Sequence, residues 1–239
     1  MSLSLLSELP VGLAGAFAGG AIMGGADHYS RDGTLLPFPV FRARGWAGTV
    51  GAFVPLFGPL LSYRCSASRK IGAGLLACVV QIAMAVLWVA LARRYGLGWP
   101  LLSSLVLTAF LGAIAVIDFR HRLIPSLLVY PTMIIALAGS PLWPGLGLLG
   151  SIEGAALGFA LFFALALFAR FVFGEGALGD GDVTLAAAIG AICGYPLVVL
   201  SLAVGAFLGG LGAVLVMIAR RSAVGAPIPY GPFLIGGIL

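Results

Sequence analysis

Long apolar segments alternate with short polar or basic segments along most of the chain. A membrane-spanning helix needs about 20 consecutive, mostly apolar residues. The segment at 183–194 is shorter than that, and Gly194-Tyr195-Pro196 predicts a break between it and the next one. The last apolar segment reaches Leu239 without a polar flank, so the sequence is expected to end within a helix. The pattern predicts apolar helices at 10–26, 71–92, 100–117, 124–143, 146–169, 183–194, 196–219 and 226–239.

The longest connection, residues 27–70, carries a large share of the basic residues. Its apolar part, 46–63, contains Pro55 and Pro59, so it is either a re-entrant or interfacial segment or a further span. Because Lys and Arg concentrate in cytoplasmic loops, we place 27–70 in the cytoplasm. Eleven of the thirteen basic residues then lie on the cytoplasmic side, and only Arg93 and Arg94 lie outside.

These segments predict an all-α, polytopic membrane protein of about seven to eight transmembrane helices. We expect residues 1–99 to form an N-terminal membrane region that includes the 27–70 connection, and residues 100–239 to form a second domain. No Lys or Arg occurs in residues 1–10, so the first apolar segment is interpreted as a retained helix rather than a cleaved signal peptide.

The composition supports the membrane interpretation. Hydrophobic residues make up 61% of the 239 residues and charged residues only 9%, whereas a soluble domain carries about 25% charged residues. The net charge of +5 is attributed to membrane topology and anionic lipid headgroups, so no nucleic-acid partner is expected. The three cysteines include no CxxC pair, so the sequence supports neither a disulfide framework nor a metal site.

Two of the eight acidic residues stand out by position. Asp118 ends a long apolar segment, and Asp182 precedes another. In the predicted topology both lie at the cytoplasmic membrane boundary, although 64 residues separate them. A carboxylate at membrane depth is costly and therefore indicates function. Two such groups can share a proton, one accepting a proton from water while the other donates to a scissile peptide group.

The residues alone leave alternatives open at this point. Asp182 could cap a helix that starts at Val183, and Asp118 could face cytoplasmic water and pair with Arg120 or Arg122. The neighbouring Asp180 competes with Asp182 for the role in the dyad. The glycines at 176, 179 and 181 could bring backbone close to an extended substrate strand.

Three blocks of this sequence resemble the type IV prepilin peptidases, which are membrane aspartyl peptidases with a GxGD motif. The first is Ile117-Asp118 followed by RLIP at 122–125. The second is GALGDGDVTLAAAIG at 176–190, and the third is IPYGPFL at 228–234. The resemblance covers the chain from about residue 100 to the end, and the second block is its most specific part.

The resemblance implies a GxGD aspartyl peptidase architecture in residues 100–239, with Asp118 and Asp182 catalytic. It selects Asp182 over Asp180, because the family aspartate follows the second glycine of the motif, which is Gly181. The implied reaction is cleavage of the leader peptide of prepilin or pseudopilin precursors, on the cytoplasmic side of the bacterial inner membrane and without a cofactor. The residues expected to support the motif or bind substrate are Gly179, Asp180, Gly181, Pro229, Gly231 and Pro232.

The chain departs from the family pattern in several places. Thr184 stands where lysine is usual. Residues 53–64 resemble the family segment between two CxxC pairs, but the pairs are missing and only Cys65 follows the segment. The asparagine-containing motif of the first helix is missing as well. In the family this region accompanies N-methylation with S-adenosylmethionine as the donor, so these departures put that second activity and cofactor in doubt.

Other functions remain open from the sequence. Presenilin-type and signal-peptide-peptidase-type enzymes share GxGD but place tyrosine before the first aspartate, where Ile117 stands in this chain. Preflagellin peptidases are closer and hard to separate by sequence. A non-enzymatic transporter or assembly scaffold would use charged intramembrane residues along a path, and an inverted repeat would favour it. We find no such repeat.

Overall fold

A computed structural model describes residues 3–32, 71–174, 178–220 and 229–238. The described residues form helices and turns and contain no strand, which confirms the all-α prediction. Residues 33–70 lie outside the described residues, and with them the predicted segment 46–63 and Cys65. The helices are α1 (Leu3–Asp32), α2 (Ile71–Tyr95), α3 (Trp99–His121), α4 (Ser126–Gly139), a 3-10 turn (Ser140–Leu142), α5 (Gly147–Phe173), α6 (Asp180–Cys193), α7 (Leu197–Arg220) and α8 (Gly231–Gly236).

Three of the described helices are long and apolar enough to cross a membrane: Leu75–Tyr95 in α2, Trp99–His121 in α3 and Gly147–Val172 in α5. Shorter apolar helical segments occupy Glu8–Met23, Ser126–Leu142 and Leu197–Gly212. Large apolar side chains on these helices point outward, as for Leu149 at 75% and Phe171 at 91% exposure. Lipid is the solvent that accommodates such a surface, so the prediction of an all-α membrane protein is confirmed.

The prediction of one continuous helix over 226–239 is wrong. Among the described residues 229–238, helix begins only at Gly231 and ends at Gly236. Six residues rise about 9 Å, far less than the bilayer core. The physical reason is local, because Pro229 and Pro232 lack backbone N–H groups and Pro232 fits only the first turn of a helix. The helix predicted at 183–194 also begins earlier, at Asp180.

The chain divides into two compact units, residues 1–113 and 114–239. The predicted boundary near residue 99 stays a prediction. In the first unit α1 packs antiparallel to α2 through glycines, since a Cβ on Gly19 would lie 2.8 Å from the Gln81 Cα. At one end of this pair, Arg93 donates two hydrogen bonds to the Glu8 carboxylate at 3.0 and 2.7 Å.

In the second unit α6 is the central helix. Val183 and every residue from Leu185 to Ala191 are buried, and α4, α5, α7 and α8 all contact this helix. A helix covered on all sides must be apolar all round, which its Leu-Ala-Ala-Ala-Ile sequence provides. Small residues allow α5 to approach closely, because a Cβ on Gly154 would collide with the Gly190 carbonyl. This packing fixes the start of α6, where Asp182 lies.

The predicted break after α6 is confirmed. Gly194 ends the helix with φ +70°, a left-handed conformation that glycine adopts without strain. The next residue, Tyr195, donates its backbone N–H to the Gly150 carbonyl at 3.1 Å, and α7 begins at Leu197. The sharp turn therefore places α7 beside α6.

Candidate active site

Asp118 lies in the last turn of α3 and is buried, with 4% of its surface exposed. Its Oδ2 accepts a hydrogen bond of 2.8 Å from the Gly231 backbone N–H, 113 residues further along the chain. A Cβ on Gly231 would lie 2.9 Å from that same oxygen, so only glycine leaves room for this contact. The burial does not fit the alternative in which Asp118 faces water.

Asp182 is the third residue of α6, whose N-cap is Gly179. Its Oδ2 accepts a hydrogen bond of 3.3 Å from the Gly179 N–H, and its own N–H donates to the Gly179 carbonyl at 3.0 Å. A carboxylate in the first helical turn satisfies an otherwise unpaired N–H and is favoured by the helix dipole. The expected helix start at Val183 is therefore wrong, because the helix begins three residues earlier. Asp182 caps the helix from its third helical position and not from the position that precedes the helix.

The structure brings these two carboxylates together. Asp118 and Asp182 are close enough to interact electrostatically, and both belong to the unit formed by residues 114–239. Asp180, by contrast, is exposed at the first position of α6. The chain thus presents one buried and one half-buried carboxylate at adjoining helix ends, an arrangement that can hold a shared proton.

The glycine before Asp182 packs against the loop that follows α3. A Cβ on Gly181 would lie 2.8 Å from the Ile124 Cβ. The loop itself leaves α3 through Arg122, whose φ of +56° is a left-handed conformation and whose N–H donates to the Asp118 carbonyl at 2.7 Å. Two blocks of the sequence pattern, RLIP and GxGD, are therefore in direct contact.

Tyr230 is a site residue that the sequence analysis did not single out. It precedes Gly231 and interacts electrostatically with Asp182, so residues 230 and 231 together reach both carboxylates. Its ring lies against Gly209 of α7 and 6.4 Å from the Phe162 ring of α5. The available signal was its position between Pro229 and Gly231 in the third block.

The remaining predicted site residues have different environments. Pro229 and Pro232 are half-buried beside Gly231, and Gly179 is exposed at the start of α6. Glu175 and Gly176 lie outside the described residues. Within the described ranges, no group of three or more His, Cys, Asp or Glu side chains could hold a metal ion.

Residues 105–214, which include Asp118 and Asp182, match the model of the Type IV leader peptidase family. Residues 105–214 are therefore similar to the type IV leader peptidase family. The resemblance predicted from the sequence motifs is confirmed, and the match is to a family of peptidases rather than of transporters. The third block, at 228–234, lies beyond the matched residues. No solved structure matches the chain.

Two curated relatives illustrate the match. The prepilin leader peptidase/N-methyltransferase of Xanthomonas campestris is 34% identical over 166 residues, 65% of this chain and 54% of the relative. The protein of that name from Pseudomonas aeruginosa is 33% identical over 186 residues, 74% of this chain and 62% of the relative. The chain thus spans between about half and three fifths of the length of these relatives.

Proposed function

We propose that this chain is an intramembrane aspartyl endopeptidase that cleaves the leader peptide of type IV prepilins or pseudopilins. The observation that carries the proposal is the convergence of Asp118 and Asp182 inside the type IV leader peptidase domain. Neither carboxylate is close to the other in sequence, and each is held by a backbone N–H of a glycine.

The proposed chemistry follows from two carboxylates that share one proton. The ionised carboxylate removes a proton from water, and the water oxygen attacks the scissile carbonyl carbon. The protonated carboxylate donates its proton to the carbonyl oxygen, which gives a gem-diol. In the next step the C–N bond breaks as the first carboxyl passes the proton it took from water to the leaving nitrogen, and the second carboxylate takes a proton from a hydroxyl of the gem-diol. Two carboxylates that share one proton titrate as a unit, so the roles are assigned to the dyad and not to one aspartate each.

The proposed location is the inner membrane of a bacterium, with the dyad at its cytoplasmic face. Support comes from the basic residues that flank the dyad, Arg120 and Arg122, which the positive-inside rule places in the cytoplasm. A precursor with a basic leader and an apolar helix fits this position, because its leader stays in the cytoplasm while the helix lies in the bilayer.

The decisive experiment is cleavage of a purified prepilin by purified protein in detergent or lipid nanodiscs. We expect Asp118→Asn and Asp182→Asn each to lower kcat by about 10²–10⁴-fold, since each removes one half of the acid–base pair. The amide keeps the size of the side chain, so folding should be preserved, and size-exclusion profiles and helical circular dichroism would check this.

Asp180→Asn is the matched control, because Asp180 is an exposed carboxylate two residues from Asp182 on the same helix. Cleavage that survives either dyad substitution would rule out the proposed dyad. Loss of cleavage in Asp180→Asn, with retention in Asp182→Asn, would transfer the second role to Asp180.

N-methylation is not part of this proposal. The names of the two relatives include it, but the motifs that accompany it are missing from this sequence. Incubating the same reaction with a labelled S-adenosylmethionine methyl group would test it on the cleaved product, independently of the dyad variants.

A further inference from the structure

The loop between α3 and α4 lies directly against the backbone of Gly181. A Cβ on Gly181 would lie 2.8 Å from the Ile124 Cβ and 3.4 Å from both its Cγ2 and its carbonyl oxygen. Non-bonded carbons pack at about 3.5–4.0 Å, so the space that a larger residue at 181 would need is already filled by Ile124. On the side that faces Ile124, residue 181 must therefore be glycine, because Ile124 occupies the space that a side chain would need.

The loop that carries Ile124 is fixed at both ends. At its start, the Arg122 N–H bonds to the Asp118 carbonyl at 2.7 Å. At its end, Pro125 is buried and is the N-cap of α4. The Pro125 carbonyl accepts N–H groups from Leu128 at 2.9 Å and Val129 at 3.3 Å. Ile124 therefore holds a defined position relative to the helix end that carries Asp118.

The other side of the contact is equally constrained. Thr184 Oγ1 donates to the Gly181 carbonyl at 2.9 Å, and the Asp182 N–H donates to the Gly179 carbonyl at 3.0 Å. The first turn of α6 is thus hydrogen-bonded on either side of Gly181. A displacement of Gly181 would move the Asp182 backbone with it, because the two residues are adjacent.

We propose that Ile124 is a positioning residue whose contact with Gly181 sets the separation of Asp118 and Asp182. This inference rests on the proposed peptidase function of the dyad. It assigns Gly181 to internal packing, in contrast to the expectation that this glycine leaves room for an extended substrate strand. The contact acts on geometry, so it affects kcat and leaves leader binding largely unchanged.

A double-mutant cycle tests the proposal. Gly181→Ala is expected to lower kcat by about 100-fold with little change in KM, because a displacement of about 1 Å at a catalytic pair has effects of this size. Ile124→Gly removes the Cβ and Cγ2 that the new methyl group would meet. In the Ile124→Gly background, Gly181→Ala should therefore cost no more than about 3-fold in kcat.

Gly210→Ala is the matched glycine control, since nothing lies within 4 Å of a Cβ at that position in α7. It should have the same small effect in the wild-type and Ile124→Gly backgrounds. A 100-fold cost of Gly181→Ala in both backgrounds would overturn the proposal and return Gly181 to a direct substrate role. Full activity of Gly181→Ala in the wild-type background would overturn it as well.

Thermal unfolding in detergent of the four proteins of the cycle, namely the wild type, the two single variants at 124 and 181 and the double variant, separates this inference from the proposed function. Gly181→Ala should lower Tm in the wild-type background and have a smaller effect beside Ile124→Gly, whether or not a prepilin is cleaved. Absence of cleavage by the wild-type protein would count against the proposed function alone. Additive Tm shifts would count against the Ile124–Gly181 contact alone.

Discussion

At the scale of single residues, the glycines of the site have different reasons to be glycine. Gly231 must lack a Cβ because that atom would lie only 2.9 Å from Asp118 Oδ2. Gly181 must lack one because of Ile124, whereas a Cβ on Gly179 would meet Asp182 Oδ2 at an ordinary distance of 3.4 Å. The GxGD pattern alone does not separate these cases, since only the atoms around each glycine distinguish them.

The contact between Gly231 and Asp118 makes a prediction for Gly231→Ala. The added methyl group would displace the Asp118 carboxylate and break its 2.8 Å hydrogen bond. We expect kcat for prepilin cleavage to fall by about 10–100-fold while KM changes little, because the loss is one of catalytic geometry.

Gly236→Ala, in the same short helix, is the control for this measurement. A Cβ at 236 would meet only the Leu208 Cδ1, at 3.7 Å, which is ordinary packing. Equal activity of the two variants would show that the Gly231 contact does not support catalysis.

At the scale of elements, α6 shows which parts of a helix the pattern of apolar residues can predict. Its apolar residues predicted a short helix at 183–194, and the structure has one at Asp180–Cys193. The N-terminal difference arises because Gly179 is extended and Asp182 folds back to its N–H, which extends the helix through polar residues. A pattern of apolar residues does not predict a first helical turn made of polar residues.

The crossing of α5 and α6 makes a prediction about stability. Gly154 and Gly190 meet backbone to backbone, and Ser151 Oγ donates to the Ala191 carbonyl at 2.6 Å. Gly190→Ala would force the two helices apart, and overpacking of this kind costs about 1–3 kcal/mol. We expect a lower Tm in detergent. Cleavage should be lost because the protein unfolds, and not because the catalytic groups have changed.

Gly210→Ala again provides the comparison, because it adds the same methyl group to an open helix position. Ala in place of Gly within a helix is favourable by about 0.5–1 kcal/mol. If Gly190→Ala were as stable as Gly210→Ala, the close approach of α5 and α6 would not be required for folding.

At the scale of the whole molecule, the distribution of charge predicts the orientation of α3. Its 23 residues rise about 34 Å, enough to cross a bilayer core of about 30 Å. Two exposed residues flank it, Leu97 before its start and Leu123 after its end. Two arginines lie near each end of α3, so the orientation follows from the whole chain. With eleven of the thirteen basic residues on the cytoplasmic side, the positive-inside rule predicts Leu123 in the cytoplasm and Leu97 outside.

Cysteine labelling tests this orientation. In a variant without Cys65, Cys78 and Cys193, we expect Leu97→Cys to react with a membrane-impermeant maleimide on intact cells. Leu123→Cys should react only after the membrane is permeabilised. The opposite pattern would place the dyad on the outer face and would contradict cleavage on the cytoplasmic side.

The sequence by itself determined the features that depend on local composition and on the energetic cost of placing a charged group in a membrane. Apolar segments of membrane length predicted the all-α membrane class, and the rarity of acidic residues drew attention to Asp118 and Asp182. Only the tertiary structure decided how these residues meet. The Asp118–Gly231 hydrogen bond joins residues 113 positions apart, and the Ile124–Gly181 contact joins a loop to a helix start. Such contacts join segments that are far apart in the sequence, so no local pattern of apolar residues predicts them.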